Sequence, residues 1–347
     1  MTPEIALTGI SARVFARCCG AALLALTLLA GCERQPPPTV VLYTSVDEEF
    51  ARRVVADFER ETGIRVQAKY DSEAGKTTGF LMLLRREAAN PRCDVWWSSE
   101  IYGTIELADE GVLAEYDSPA AADLDPAWRD PGHRWTATAA RARVLAFHTG
   151  RVNAAEVPTD LRQLAEPQWA RRLAIANPQF GTTRGHLATL FLLWGDEPGR
   201  AFLTALRDGG VKLADGNAHA VRLLAAGEVD LCLTDTDDVW VAQERGVPVD
   251  LVYPTATADS GPLWIPCTTA LVKGGPNPEA GRRLIDYLVS AKVERALAET
   301  DSRNVPVRPG LREELKLPGP APEAADYTRS VQALPQAMEA ARDILLR

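Results

Sequence analysis

The sequence predicts an α/β protein of two domains, each built on a mostly parallel sheet flanked by helices. Three observations carry this. Short apolar runs alternate with stretches of helical spacing, in two successive series along the chain, and that alternation implies parallel strands joined by helical crossovers. In each unit the apolar run empties into Ser, Thr, Asp or Glu at a helix start. A chain of 347 residues is also long enough to bury two cores. The composition, 46% hydrophobic and 24% charged, is that of a globular protein. A formal charge of −9 argues against nucleic acid or an anionic membrane surface as the partner.

The N-terminus reads as an address rather than as fold. Arg13 and Arg17 precede an apolar core over 18–30, too short for a comfortable membrane span. It ends in Leu29-Ala30-Gly31-Cys32, which resembles a bacterial lipobox. The resemblance implies a signal peptide over 1–31, cut before Cys32, and lipid on Cys32; an uncleaved anchor helix is the alternative. Residues 32–38 include Pro36-Pro37-Pro38, an extended stiff tether. Of six cysteines, Cys18 and Cys19 leave with the signal. Cys93, Cys232 and Cys267 remain at wide spacing, as small buried hydrophobes; one disulfide among them is open in an oxidising compartment.

The first series begins with a strand over 40–43. Thr44-Ser45 and the acidic turn Asp47-Glu48-Glu49 follow, and then Phe50, Val54, Val55 and Phe58 at helical spacing. Gly63 stops that helix. A strand over 64–68, a polar break over 71–79 holding Glu73 and Lys76, and a helix over 80–89 come next. The strand 94–97 ends in Ser98-Ser99-Glu100, and a helix closed by Gly111 follows. Residues 126–135 read as loop. The strand 141–148 leaves the first domain.

The second series holds strands over 172–176, 212–215 and 229–233. Asn177 to Thr183 precede a helix over 184–194, and Gly216-Asn217 precede one over 221–226. The third strand runs into Thr234-Asp235-Thr236-Asp237-Asp238, which in isolation reads equally as a helix cap. Strands over 249–253 and 268–272 follow, the second returning to the first domain. Helices over 280–288 and 291–297, an extended segment over 304–310 and a terminal amphipathic helix complete the chain.

Ligands of open α/β sheets bind beyond the carboxyl ends of strands, and there the polar residues gather. Arg141, Thr182, Thr183 and the N–H groups near Gly181 suit an anion. Asp235, Asp237, Asp238 and Glu100 suit a metal ion or an ammonium. Tyr43 offers a phenol; Thr44, Ser45, Glu73, Lys76, Ser99, Asn217 and Thr236 complete the candidates. An ion pair with a nearby carboxylate accounts for Arg141 equally well. Trp96 and Trp97 alternate faces, so at most one lines the site. The histidines at 133, 148, 186 and 219 show no metal-ligand spacing. No nucleophile elbow, P-loop or nicotinamide fingerprint is present, so neither catalysis nor a cofactor is expected.

Several ordered segments carry a family resemblance. They are Leu42-Tyr43-Thr44-Ser45, residues 58–63, Cys93-Asp94-Val95, residues 140–144, Asp160-Leu161 through Trp169, residues 225–229, Lys273 to Ala280, and Val305-Pro306-Val307-Arg308. In this order the chain resembles the bacterial extracellular solute-binding proteins of ABC importers, with the type II periplasmic-binding fold, and among them the ferric-iron-type proteins. The resemblance implies two lobes joined by crossing strands and closing on a solute like a hinge. Lobe 1 would be 39–139 plus 266–310, and lobe 2 140–265 plus 311–347. It implies a periplasmic, lipid-anchored monomer without catalysis, its partners being permease and ATPase subunits. The membrane is then touched only through the lipid. It implies ferric iron as a solute, with Asp237 and Asp238 as ligands. The chain departs from the pattern at one place: many ferric-binding relatives carry adjacent tyrosines where Asp237-Asp238 stand. A small organic ion, such as an aminophosphonate, a polyamine or a phosphorylated metabolite, is the alternative solute. A metal-dependent lipoprotein hydrolase and a chemoreceptor-associated module are the other readings.

Overall fold

The computed structural model describes residues 37–71 and 77–347. The expected signal peptide, Cys32 with its tether through residue 36, and the candidates Glu73 and Lys76 lie outside the described residues. Among the described residues no helix is long and apolar enough to cross a membrane.

The first series consists of β1 (Thr39–Thr44), α1 (Glu48–Thr62), β2 (Arg65–Tyr70), α2 (Thr78–Glu87), β3 (Val95–Ser98), α3 (Tyr102–Asp109) and the short β4 (Leu113–Ala114). α1 buries Phe50, Val54, Val55 and Phe58 along one stripe. It stops where Gly63, at φ +68°, returns its N–H to the Glu59 carbonyl. β1 pairs in parallel with β2 and β3. The stretch read as loop contains a short 3₁₀ turn at Pro126–Trp128.

β5 (Thr136–His148) starts five residues before the strand expected at 141. Its first half is Ala and Thr, weak local signals for a strand. Pairing with β10 and burial decide it, since Ala137, Thr138, Ala139 and Ala140 are all fully buried. The second series follows: α4 (Pro167–Ala170), β6 (Leu173–Ala176), α5 (Gly181–Trp194), α6 (Asp196–Asp208), β7 (Lys212–Ala214), α7 (Asn217–Ala225), β8 (Leu231–Asp235), α8 (Thr236–Glu244) and β9 (Val249–Val252). β10 (Trp264–Val272), α9 (Pro278–Leu288), α10 (Ala291–Ala298), α11 (Pro309–Leu315), α12 (Tyr327–Gln332) and α13 (Leu334–Leu345) finish the chain.

The strands form one sheet of ten, in the order β2-β1-β3-β10-β5-β8-β6-β7, with β4 on β10 and β9 on β5. The protein has the two-lobed α/β fold, and pairing is parallel within each half, β2-β1-β3 and β8-β6-β7. The antiparallel pairs involve β5 and β10. One of these strands leaves the first half and the other returns, so they run in opposite senses. The segment around Val305 bridges to Ala140 beside this crossing, while α12 and α13 pack on α5 and α6.

Both tryptophans of β3 belong to the core, with Trp96 Nε1 donating to Thr104 and Trp97 Nε1 to Thr138. Neither lines the hollow described below. Cys93, Cys232 and Cys267 are buried free thiols. Burial pushes the Cys267 thiol up to about 11.

Candidate functional site

β8 begins in the core at Leu231 and ends at Asp235. Directly opposite Asp235, in register on β5, stands Arg143, an opposite-charge cross-strand pair. Arg141 lies two residues earlier on the same strand and therefore shares its face. Both arginines are buried, with Arg143 and Asp235 each 1% exposed.

Arg143 Nη1 donates to Asp235 Oδ1 at 2.7 Å, to Thr182 Oγ1 at 3.1 Å and to Asn217 Oδ1 at 3.3 Å. Asp235 Oδ2 accepts the Thr182 hydroxyl at 2.7 Å and Asn217 Nδ2 at 2.8 Å. Arg141 Nη1 donates to Asp237 Oδ2, and its Nη2 to the Ser99 carbonyl, both at 2.8 Å. Its Nε stands 3.3 Å from Asp235 Oδ2. Asp238 accepts the Thr234 hydroxyl at 2.9 Å. Asp235 stands at the N-cap position of α8, but its side chain makes no capping bond; the carboxylate is spent on Arg143, Thr182 and Asn217.

These groups lie around a small hollow of about 40 Å³, open to solvent, where the two halves face each other. Ser99 and Asp47 reach it from the first half; Gly181, Thr182, Thr183, Asn217, Asp235, Asp237 and Asp238 reach it from the second, with Arg141 on the crossing strand. Three helices, α5, α7 and α8, begin at its edge, and none carries a side-chain cap. Their first-turn N–H groups and dipoles favour negative charge there. At α5 the entry needs glycine: Gly181 sits at φ +55°.

Electrostatics at the hollow are mixed. Burial alone would depress the Arg141 guanidinium, but Asp237 and Asp235 outweigh it and raise its pKa well above the ordinary value. Asp47, Asp215, Asp235, Asp237 and Asp238 line the hollow; the guanidiniums of Arg141 and Arg143 offset part of that charge. Carboxylate oxygens of Asp235, Asp237 and Asp238 lie within 4.8 Å of one another, close enough to share a cation.

The other sequence candidates point elsewhere. The Tyr43 phenol accepts from Lys69 at 2.9 Å and donates to Glu87 at 3.1 Å, stacked on Phe80. Glu100 turns back onto α3, accepting the N–H of Tyr102 at 2.6 Å and of Gly103 at 3.0 Å. Burial lifts its pKa to about 7, against the pull of Arg184. Ser45 takes the Ser99 N–H at 2.9 Å, Thr44 takes that of Val46 at 3.1 Å, and Thr236 takes that of Ala142 at 3.2 Å. These three hydroxyls brace the backbone around the hollow without lining it. Arg143, Asp47, Asp215, Asn177 and Phe180 are the residues sequence reading missed. Arg143 was detectable, because residues two apart on a strand share a face and Arg141 was already singled out.

A family model described as bacterial extracellular solute-binding protein matches residues 40–300. The Fe(3+)-binding periplasmic protein of Serratia marcescens is 27% identical over 193 residues, 55% of this chain and 55% of that relative, so that match spans about half its length. Iron-bound HitA from Pseudomonas aeruginosa superposes with a TM-score of 0.76 at 22% identity, over 89% of this chain and all of the other. The binding protein AfuA from Actinobacillus pleuropneumoniae, with exogenous fructose-6-phosphate bound, superposes with a TM-score of 0.75 at 17% identity, covering 89% of this chain and 99% of that one.

Proposed function

The chain belongs to the bacterial extracellular solute-binding proteins, and from that premise we propose that it captures a small solute between its lobes and delivers it to an ABC permease. Its kinship is with the iron(III)-type proteins. We place the lobes at 39–139 plus 266–310 and at 140–265 plus 311–347. Lipid on Cys32, after removal of residues 1–31, holds the protein to the membrane on the periplasmic side. The role is binding and hand-over, without a chemical step.

The observation that carries this reading is the convergence on one hollow of Ser99 and Asp47 from one half with Thr182, Asn217 and Asp237 from the other. A solute bound there touches both halves at once, which is what lobe closure requires.

Two solute chemistries follow. Iron(III), alone or as a complex, is the reading from kinship, with Asp237 and Asp238 as oxygen ligands. A small organic ion is the second, and a specific observation favours it. Asp235 and Asp237 already hold Arg141 and Arg143, and no tyrosine among the described residues lines the hollow. An anionic head would meet the first turn of α5, and an ammonium would meet Asp237 and Asp238. Titration calorimetry of iron-free protein against ferric citrate and against a panel of aminophosphonates, polyamines and sugar phosphates separates them. Heat with ferric citrate alone establishes iron; heat with a panel member, lost in Asp237→Ala, establishes the organic ion. Silence toward both sets sinks the capture reading at this hollow. Cys32→Ser should move the protein from the membrane to the soluble fraction, and co-purification of permease subunits tests delivery.

A further inference from the structure

A second hollow lies on the far side of Arg143 from the cleft. α5 presents His186, Thr189, Leu190 and Leu193 to it at i, i+3, i+4 and i+7, a single helix face. Pro262 and Leu263 lie opposite, and the volume is about 250 Å³, a little under the usual range for drug-sized ligands and so suited to a smaller molecule. At its mouth Leu193 is 46% exposed, an apolar side chain with no apolar cover.

The floor is polar and deeply buried. Arg143 and His186 are each 1% exposed. Arg143 Nε–H donates to His186 Nδ1 at 3.4 Å. That bond makes Nδ1 the acceptor and leaves the ring proton on Nε2. Burial, and then the Arg143 charge, hold His186 well below its ordinary pKa, so the ring stays a neutral donor. No acceptor for Nε2–H is found among the described residues. Nε2 is not among the buried atoms left without a partner, so it is open to the hollow, and an acceptor bound there takes the place of water.

We propose that this hollow is a second binding site, for a small amphipathic molecule whose apolar body lies along Leu190 and Leu193 and whose single acceptor oxygen meets the Nε2–H of His186. A neutral carbonyl suits the floor better than a carboxylate. Asp235 already balances Arg143, and Glu323 and Asp326 stand among the lining residues. The site is separate from the cleft, and Arg143 on its floor is bonded to the cleft-lining Asp235 and Thr182, so it stands whatever solute the cleft takes.

The test is NMR of the full chain labelled with ¹⁵N-histidine, titrated with 2-octanone, octanoate and octane. 2-Octanone should shift the His186 Nε2 resonance, and it should bind at least about tenfold more tightly than octane, the worth of one buried hydrogen bond. Leu193→Trp, at a position exposed enough to accept the larger side chain, should block the mouth and abolish the shift while circular dichroism stays unchanged. Three results overturn the proposal: no shift with 2-octanone up to its solubility limit, a shift that survives Leu193→Trp, or equal affinity for octane. Octanoate binding more tightly than 2-octanone overturns the preference for a neutral acceptor.

Discussion

Arg143 and Asp235 give the sharpest test of the network around the cleft. The two are in register on adjacent strands, 2.7 Å apart, with 1% exposure each. Removing Asp235 strands the Arg143 guanidinium, while removing Arg143 leaves Asp235 with the Arg141 charge alone, 3.3 Å away. Loss of one partner of a buried pair costs about 3–5 kcal/mol. Asp235→Leu and Arg143→Met should each lower the urea unfolding free energy by about that amount. The double variant Asp235→Leu with Arg143→Met leaves no unpaired charge on that axis. It still strands Thr182 and Asn217, which both donate to Asp235 Oδ2, each at roughly 1 kcal/mol. The double variant should therefore be more stable than the sum of the singles predicts by at least about 2 kcal/mol. Strict additivity of the two losses, with m unchanged, would refute the idea that this pair acts as a unit.

Other perturbations read other parts of the molecule. Burial lifts Glu100 to about 7, above its unfolded value near 4.3, so the folded state holds the proton longer. Its contribution to stability is then lost as pH rises from about 4.5 to 7 and is flat beyond, by up to roughly 3 kcal/mol. Glu100→Gln should flatten that slope in urea titrations at several pH values; an unchanged slope would exclude Glu100 as its source. At Gly185 a Cβ would run into the Tyr102 ring. Gly185→Ala should cost about 1–3 kcal/mol and enlarge the radius of gyration in small-angle scattering, by wedging α3 from α5; no change in either measurement counts against their close crossing. Burial raises the Cys93, Cys232 and Cys267 thiols, so a thiol-reactive disulfide reagent should modify them only after denaturation. Rapid modification of the native protein would contradict their burial.

What the sequence disclosed depended on whether a residue's neighbours along the chain decide its place. The run Leu231 to Asp238 was legible because a buried strand that turns abruptly acidic has few local uses. Thr182 and Thr183 were legible because Gly181 and two hydroxyls precede an apolar helix. Tyr43 and Glu100 misled for the same local reason: each is polar and sits near a strand end. Their destinations depend on residues remote in sequence or on backbone geometry, Lys69 and Glu87 for the phenol and the first turn of α3 for the carboxylate. The first half of β5 was hidden because alanines carry little strand preference. Asp47 read as an ordinary turn acid and Asp215 as the end of a strand, and only the meeting of the two halves gives them a common hollow.

The crossing strand joins the sheet and the site through the same side chains. Arg141 holds the Ser99 carbonyl at the end of β3 with one nitrogen and Asp237 at the start of α8 with another. A solute that draws Asp237 to itself must compete with a guanidinium that also grips the first half. Capture therefore loosens one link between the halves while supplying contacts to both, so binding and relative motion are coupled through one residue. Arg143 lacks such a link: the partners recorded for it, Asp235, Thr182, Thr183, Asn217, His186 and Leu233, all belong to the second series. The two arginines differ by one turn of the pleat yet carry different duties. Arg143 is bonded within the second half, whereas on the proposed capture reading Arg141 is the residue through which a solute held there would act on the first.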